Sequence, residues 1–183
     1  MVRKIRVLGI SGSLRTASLN SMLLRVAARI APSGIDFELF PDLGTLPLFN
    51  PDLEPSDPWP VAVLRRAIIE RDALVIATPE YAHGVSGVFK NALDWMVGNE
   101  SFVSKPVALF NTSPRASLAQ AALRETLLTM SARIIDEACL SVPLLGSGLD
   151  DAGVLANREM VASVLAALRA LETAVQTGAA SGV

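Results

Sequence analysis

Short apolar runs alternate along the chain with longer segments in which apolar positions recur every three or four residues. The short runs are typical of β-strands, and those with almost no polar residue indicate strands covered on both faces of a sheet. The run at 35–40 instead alternates apolar and acidic residues, as a strand near a sheet edge does. The predicted strands cover 5–10, 35–40, 73–78, 107–111 and 139–145.

A helix is predicted after each strand. In the first, apolar residues fall at helical intervals and Pro32 and Gly34 follow the last turn. Pro60 stands where a first helical turn tolerates proline, so the second helix begins beside it. The long proline-rich loop before that helix is expected to be functional or to pack over another element. The predicted helices cover Leu19–Ile30, 61–71, 88–97, 118–135 and 158–175.

Five strands, each followed by a helix, predict an α/β fold with a parallel sheet and helices on both faces. The apolar runs belong in the centre of the sheet and the second strand at its edge, which suits the doubly wound order 2-1-3-4-5 of flavodoxin-like folds. Ligands of such sheets bind beyond the carboxyl ends of the strands, where the strand order reverses. That rule predicts a site between the loops after strands one and three. A single domain is expected over 1–177, with a disordered tail at 178–183.

Composition and charge narrow the class of protein. A chain of 183 residues that is 51% hydrophobic suits one packed domain, and a net charge of -2 argues against a nucleic-acid partner. No apolar run is long enough for membrane insertion, and the basic start precedes too few apolar residues for a signal peptide, so a cytoplasmic protein is expected. A single cysteine, Cys139, and a single histidine, His83, predict neither an internal disulfide nor a metal site of the usual kind.

The loop after the first strand is suited to an anion. Residues 9–20 contain serines, a threonine, an asparagine, two glycines and Arg15, but no carboxylate, and they lead into the start of a helix. Helix N-termini and guanidinium groups stabilise bound anions, so a mononucleotide phosphate is one interpretation. The other is that Ser18 or Asn20 caps the helix and Arg15 is a solvated surface charge. The G-x-G-x-x-G pattern of dinucleotide-binding loops is not present.

The loop after the third strand is suited to a flat ring. Pro79 restrains the turn, Gly84 allows close approach of a ligand to the backbone, and Tyr81 and His83 are candidates for ring contacts. Glu80 is either a surface carboxylate or a functional one. Farther along, an apolar stripe at helical spacing indicates core or subunit contact. That stripe consists of Phe89, Leu93 and Met96.

These two loops carry a family resemblance. The motif G-S-L-R-x-x-S-x-N begins at Gly12, and P-E-Y-x-x-G-x-x-G-x-x-K-N-A-L-D-W begins at Pro79. Together they resemble the NADPH-dependent FMN reductase family of flavodoxin-like quinone, chromate and azo-dye reductases, over residues 6 to about 175. The resemblance implies FMN as cofactor, NADPH or NADH as co-substrate, and quinones, free flavin, azo compounds or chromate as small-molecule acceptors. It also implies a homodimer or homotetramer, for which the helix at 88–97 is the expected contact.

The resemblance also implies the site residues. Those expected at the FMN phosphate are Ser11, Ser13, Arg15, Ser18 and Asn20. Those expected along the isoalloxazine are Pro79, Glu80, Tyr81, Ala82, His83 and Gly84. The loop after strand four is the third expected contact, through Thr112, Ser113, Pro114 and Arg115. Family members commonly have asparagine where Ala82 stands and proline where Ser86 stands. Ala82 therefore lacks a side-chain amide, and Ser86 is expected to loosen the turn.

The flavin would carry the chemistry, so no catalytic residue is assigned. His83 is the one candidate for a proton donor. Arg115 is a candidate contact for the phosphate of the nicotinamide nucleotide. Cys139 lies in an apolar strand and is expected to be inert. Two alternatives stay open: a non-enzymatic FMN electron carrier, which would usually present an acidic face, and a domain that binds no FMN.

Overall fold

A computed structural model describes residues 3–41 and 43–180 of the chain. The strands are β1 (Ile5–Ser11), β2 (Ile35–Leu39), β3 (Ala73–Ala77), β4 (Glu80–Tyr81), β5 (Gly84–Val85), β6 (Pro106–Asn111), β7 (Arg133–Ile134) and β8 (Leu140–Ser141). The helices are α1 (Leu19–Ile30), α2 (Trp59–Ile69), α3 (Gly87–Val97), α4 (Ser117–Thr129), α5 (Asp151–Ala156) and α6 (Arg158–Ala180). In this part of the chain, no helix combines the length and the apolar character that a membrane span requires.

The main sheet is parallel and runs in the order β2-β1-β3-β6, with β7 and β8 both paired to β6. The two short strands share the fifth position, so the predicted order 2-1-3-4-5 is confirmed. The small strands β4 and β5 form a separate antiparallel pair, which no pattern in the sequence predicts.

Helices cover the sheet on both faces. Successive side chains of a strand point to opposite sides, so each strand contributes to two cores. All five residues of β3 are buried. Val75 and Ala77 belong to the core beneath α1 and α6, whereas Leu74 and Ile76 belong to the core beneath α2, α3 and α4. The continuous apolar run of β3 is thus explained by burial on both faces.

The helix predicted for 118–135 ends early, at Thr129, and the chain turns into β7. Ser131 has φ 61°, the amide of Ser131 donates to Leu128 O, and that of Ala132 donates to Leu127 O. This pair of hydrogen bonds around a left-handed residue is a Schellman motif, which normally uses glycine. The boundary was wrong because a serine occupies the position that usually signals the end of a helix.

The predicted fifth strand at 139–145 is reduced to Leu140–Ser141, and a 3-10 turn at Asp136–Ala138 separates it from β7. In the gap between the two pieces, the Cys139 thiol accepts a hydrogen bond from the Leu109 amide at 3.4 Å. Cys139 thus serves as an acceptor where the sheet lacks a backbone carbonyl. Burial raises the pKa of the Cys139 thiol, which favours its unreactive protonated form.

The proline-rich loop packs over α3. Trp95 Nε1 donates to Pro47 O at 2.8 Å, and the amide of Phe49 donates to Asn91 Oδ1 at 2.8 Å. The rings of Phe49 and Trp95 meet edge to face, with centroids 5.1 Å apart. Two residues of the second motif, Asn91 and Trp95, therefore hold this loop rather than a ligand.

Other boundaries differ slightly. Helix α2 begins at Trp59 with Pro60 in its first turn and ends at Ile69, two residues before the prediction. Helix α5 was not predicted, and α6 continues past residue 175 to Ala180, within the segment assigned to the tail. The remaining tail residues, 181–183, lie outside the described residues.

Candidate active site

Three loops meet at the carboxyl edge of the sheet, where the strand order reverses between β1 and β3. They follow β1, β3 and β6 and enclose a cleft of about 300 Å³. The predicted site residues that line it are Ser13, Arg15, Ser18, Asn20, Pro79, Glu80, Tyr81, Thr112, Ser113 and Arg115. Loops that are distant in sequence thus come together where the fold predicts a ligand.

The loop after β1 lies tightly against the end of β3. The amide of Gly12 donates to Ala77 O at 2.8 Å, and a Cβ atom built on Gly12 would lie 2.2 Å from Thr78 Oγ1. Cβ atoms do not approach other atoms this closely, so any side chain at this position would push the two loops apart. The glycine of the first motif is therefore explained by close packing of the two loops.

Ser18 is the N-cap of α1. Its hydroxyl accepts a hydrogen bond from the Ser21 amide at 3.2 Å, and Ser18 is buried. Ser21 in turn shares a hydrogen bond of 2.7 Å with Ser11 through their hydroxyl groups. Ser18 therefore caps the helix, as one of the two interpretations of this loop states. The hydrogen of the Ser18 hydroxyl can still be donated to an anion.

Asn20 joins the first loop to the third. Its Oδ1 accepts a hydrogen bond from the Thr112 hydroxyl at 3.2 Å, and both residues are buried. Because this bond occupies Oδ1, Nδ2 is the atom of Asn20 that can donate to an anion. Of the two residues named as possible caps, Ser18 is the one that caps α1, and Asn20 lies within the first turn of the helix.

The charges of the cleft favour an anion at the end formed by the first loop. Arg15 and Arg115 line the cleft and are exposed to solvent. Among the described residues that line it, Glu80 is the one acid, and its carboxylate is hydrogen-bonded to the start of α4. The residues present therefore fit the phosphate of FMN, because hydroxyls and a guanidinium surround that end without a competing carboxylate.

The loop after β3 is a two-residue hairpin. Glu80 pairs with Val85 and Tyr81 with Gly84, and the two residues between them, Ala82 and His83, have φ 49° and 62°. Positive φ at both central residues is the pattern of a type I′ turn. Asparagine and glycine usually provide these angles, so Ala-His gives no sequence signal for the hairpin.

The hairpin leaves room for a flat ligand beside its backbone. A Cβ atom at Gly84 would approach only Tyr81 O, at 3.7 Å, and one at Gly87 would contact nothing within 4 Å. Tyr81 lines the cleft and is half-exposed. The open backbone beside an aromatic side chain fits an isoalloxazine ring.

Ser86 anchors the hairpin. It is the N-cap of α3, 1% exposed, and its hydroxyl donates to Gly12 O at 2.6 Å. The same oxygen is 3.2 Å from Thr78 Oγ1 and accepts from the Phe89 amide at 3.4 Å. Contrary to the expectation of a looser turn, serine at this position provides hydrogen bonds that proline would not.

Glu80 and His83 have different surroundings. Glu80 Oε2 accepts a hydrogen bond from the Ala119 amide at 2.8 Å, and its Oε1 lies 3.4 Å from His83 Nδ1. The Glu80 side chain is only 14% exposed, whereas that of His83 is 81% exposed. His83 thus points largely into solvent at the tip of the hairpin.

Five predicted residues lie outside the wall of the cleft. They are Ser11, Ala82, His83, Gly84 and Pro114. Ser11 lines a larger groove of about 630 Å³ between the loops after β1 and β2, which shares Ser13 and Arg15 with the cleft. The hairpin-tip residues and Pro114 are near the cleft in sequence but are not part of its lining.

Six further residues line the cleft and were not predicted. They are Ala17, Leu19, Thr78, Asn111, Ala116 and Leu145. Thr78 and Asn111 come at the carboxyl ends of β3 and β6, which is a signal that could have identified them. Leu145 comes from an irregular segment after β8, and no local pattern marks it. The stripe of Phe89, Leu93 and Met96 is buried in the core, as one of its two interpretations predicted.

Comparison with known proteins identifies the family. Residues 5–144 match the family described as NADPH-dependent FMN reductase. The chain belongs to this family. It is 36% identical over 175 residues to an NAD(P)H-dependent FMN reductase of Pseudomonas aeruginosa, covering 90% of this chain and 94% of that relative. It is 32% identical over 145 residues to a quinone reductase of Escherichia coli K12, covering 75% and 77% respectively.

A solved structure shows the same fold at high similarity. The flavoenzyme NAD(P)H:(acceptor) oxidoreductase of Paracoccus denitrificans superposes with a TM-score of 0.83 at 29% identity, covering 94% of this chain and 98% of that one. The flavodoxin-like fold is thus confirmed. Membership of the FMN reductase family likewise confirms an oxidoreductase with FMN as cofactor and NAD(P)H as co-substrate.

Proposed function

We propose that this FMN reductase family member passes hydride from NAD(P)H through FMN to quinones. The observation that carries the proposal is the cleft itself, in which an acid-free end rich in hydroxyls adjoins a hairpin with open backbone. The relatives named quinone reductase and 2-hydroxy-1,4-benzoquinone reductase, the latter 39% identical over 130 residues, support the choice of acceptor.

The residues of the first loop would hold the phosphate. The proposed phosphate contacts within the cleft are Ser13, Arg15, Ser18 and Asn20. Ser11 would act indirectly, since its hydroxyl is bonded to that of Ser21. A charge-assisted contact from a guanidinium is worth about 1.5–3 kcal/mol, so Arg15 would contribute the largest single interaction.

The hairpin and the loop after β6 would hold the ring. Backbone groups from Pro79 to Gly84 would line one side, and Thr112 to Arg115 would line the other. Bound FMN supplies hydride acceptance from the nicotinamide and donation to the acceptor. The chain itself would bind and orient both partners, and Arg115, which is exposed at the cleft, would meet a phosphate of the nicotinamide nucleotide.

The rim of the cleft favours a flat organic acceptor. Tyr81 is 52% exposed and Leu145 is 55% exposed, and both line the cleft. Apolar and aromatic side chains stabilise ring systems better than small inorganic anions. Quinones are therefore the proposed acceptors. Free flavin and azo compounds are further candidates that contain rings, whereas chromate is a small inorganic anion and should be a poorer acceptor.

The test is an acceptor screen on the FMN-loaded protein with NADH and NADPH compared. We expect benzoquinones to give the highest turnover and chromate a lower one. A purified protein that binds FMN but oxidises NAD(P)H slowly with every acceptor would instead support the electron-carrier alternative. Failure to bind FMN at all would contradict the assignment of the site.

The homodimer or homotetramer implied by the family stays a prediction. Helix α3 was its expected contact, but five of its residues are buried in the chain's own core, namely Phe89, Ala92, Leu93, Trp95 and Met96. The apolar stripe of α3 therefore does not by itself argue for a subunit contact. Light scattering coupled to size-exclusion chromatography measures the assembly directly.

A further inference from the structure

The Glu80 side chain connects two of the loops that form the cleft. Glu80 belongs to β4, at the base of the hairpin, while its Oε2 accepts a hydrogen bond from the Ala119 amide at 2.8 Å. Ala119 lies in the first turn of α4, directly after the third loop of the cleft. One carboxylate thus spans from the hairpin to the loop after β6.

This contact has the character of a helix cap supplied from elsewhere in the chain. The N-cap position of α4 is Ala116, which has no side-chain oxygen, and Ala119 is the third residue of the helix. The third amide of a helix lacks an intrahelical acceptor, and a negative charge near it is stabilised by the helix dipole. Glu80 therefore provides the hydrogen-bond acceptor for the Ala119 amide that the N-cap residue Ala116 does not.

The other carboxylate oxygen faces the hairpin turn. Glu80 Oε1 lies 3.4 Å from His83 Nδ1, and both Ala82 and His83 have left-handed backbone angles. Non-glycine residues adopt these angles only where surrounding contacts hold them. The Glu80 side chain is 14% exposed, so its position is fixed by its neighbours rather than by solvent.

We propose that Glu80 is a positioning residue that sets the spacing between the hairpin and the loop after β6. These are the two loops assigned to the flavin ring, so the inference rests on the proposed site. Glu80 acts through the Ala119 amide and the start of α4, and it need not touch the reacting atoms. Its carboxylate is already engaged by protein groups, which separates its role from that of Arg15 at the phosphate end.

The proposal makes a specific prediction about two ligands. A residue that positions the ring loops should affect the binding of FMN and of riboflavin, which lacks the phosphate, by the same factor. A phosphate contact should affect FMN alone. The experiment therefore measures the affinity of both flavins by fluorescence titration, together with the visible circular dichroism of the bound ring, in Glu80→Ala, Glu80→Asp and Glu80→Gln.

The matched control is Asp150→Ala. Asp150 caps α5 by accepting a hydrogen bond from the Gly153 amide at 2.8 Å, and it does not line the cleft. Its removal deletes a helix cap of the same chemistry at a different place. The control therefore shows what the loss of a cap does to the fold without a change in the spacing of the ring loops.

We expect Glu80→Ala and Glu80→Asp to weaken both flavins by roughly tenfold and to alter the ring dichroism, because the hairpin and the start of α4 are then no longer held at a fixed spacing. Glu80→Gln keeps an oxygen acceptor and should restore most of the affinity. Asp150→Ala should bind both flavins as the wild type does. If Glu80→Ala does not fold, the comparison of Glu80→Asp with Glu80→Gln decides, because the aspartate arm is one methylene shorter.

Two results would overturn the proposal. One is that Glu80→Ala and Glu80→Asp bind both flavins with wild-type affinity and dichroism and, like Asp150→Ala, differ from the wild type only in their stability against unfolding. The other is a loss confined to FMN, which would place Glu80 in the phosphate site. Failure of the proposed function looks different, because the wild-type protein itself would then bind no flavin or would not oxidise NAD(P)H with any acceptor.

Discussion

The Ser86 hydroxyl donates a hydrogen bond of 2.6 Å to the carbonyl of Gly12, 74 positions earlier in the chain. Gly12 lies in the loop proposed for the phosphate, and Ser86 ends the hairpin proposed for the ring. Thr78, at the end of β3, is 3.2 Å from the same hydroxyl and also borders Gly12. The two loops are therefore joined by buried contacts before any ligand is bound.

Replacement of this hydroxyl should lower stability. Ser86→Ala leaves the Gly12 carbonyl without its donor and removes the cap of α3, so we expect a loss of about 1–3 kcal/mol in the free energy of unfolding. Denaturant titration of the flavin-free protein measures it. Ser56→Ala is the control, because the Ser56 hydroxyl also donates to a carbonyl, Leu53 O, but at an exposed position. Equal, small effects of both substitutions would contradict the prediction.

Arg15 should distinguish phosphorylated from unphosphorylated flavin. Arg15→Ala is expected to weaken FMN by about 1–3 kcal/mol, because the phosphate loses a charge-assisted contact, and to leave riboflavin affinity unchanged. Fluorescence titration with both flavins measures the difference. Arg66→Ala is the control, since Arg66 pairs with Glu70 on the exposed side of α2. Unchanged FMN affinity in Arg15→Ala would count against the assigned phosphate end.

Replacement of Ala82 by asparagine, the residue common in the family at this position, should increase stability. Its φ of 49° costs alanine roughly 1 kcal/mol or more, whereas asparagine tolerates this region. We therefore expect Ala82→Asn to raise the free energy of unfolding by roughly 0.5–1 kcal/mol. The β-branched variant Ala82→Val should lower it. Calorimetry of the three proteins tests the order, and a stabilising valine would refute the assigned turn.

Much of the fold could be predicted because its signals are local. The run at 73–78 is apolar throughout since β3 is buried on both faces, and the helical spacing of Leu19–Ile30 matches α1 at both ends. The boundaries that failed depend on unusual residues at turns. Ser131 adopts the left-handed angle that glycine normally provides, and Cys139 replaces a backbone acceptor where the fifth strand is broken.

The site was predictable loop by loop but not contact by contact. The two motifs identify which loops meet, because each follows a strand whose place in the sheet is evident. The bonds that join the loops depend on the tertiary arrangement: Asn20 with Thr112, Glu80 with Ala119, and Ser86 with Gly12. The partners in these bonds are 92, 39 and 74 positions apart, so no local pattern could reveal them.

A side chain introduced at Gly84 should affect flavin binding, whereas one introduced at Gly12 should affect stability. A Cβ atom at Gly84 would meet only Tyr81 O at 3.7 Å, so Gly84→Val should fold normally and obstruct the ring instead. At Gly12 the Cβ atom would lie 2.2 Å from Thr78 Oγ1, so Gly12→Ala should lower stability by about 1–3 kcal/mol through overpacking.

Flavin occupancy measured from the visible spectrum, together with the unfolding midpoint, separates the two effects. We expect Gly84→Val to have a near-wild-type midpoint and little bound flavin, because the valine side chain occupies the space beside the hairpin that the ring would use. Gly98→Val serves as the control, since its Cβ atom would approach only Glu54 Oε1, at 3.5 Å, and Gly98 lies at the end of α3 opposite to the hairpin. Full flavin occupancy in Gly84→Val would mean that the ring lies away from the hairpin.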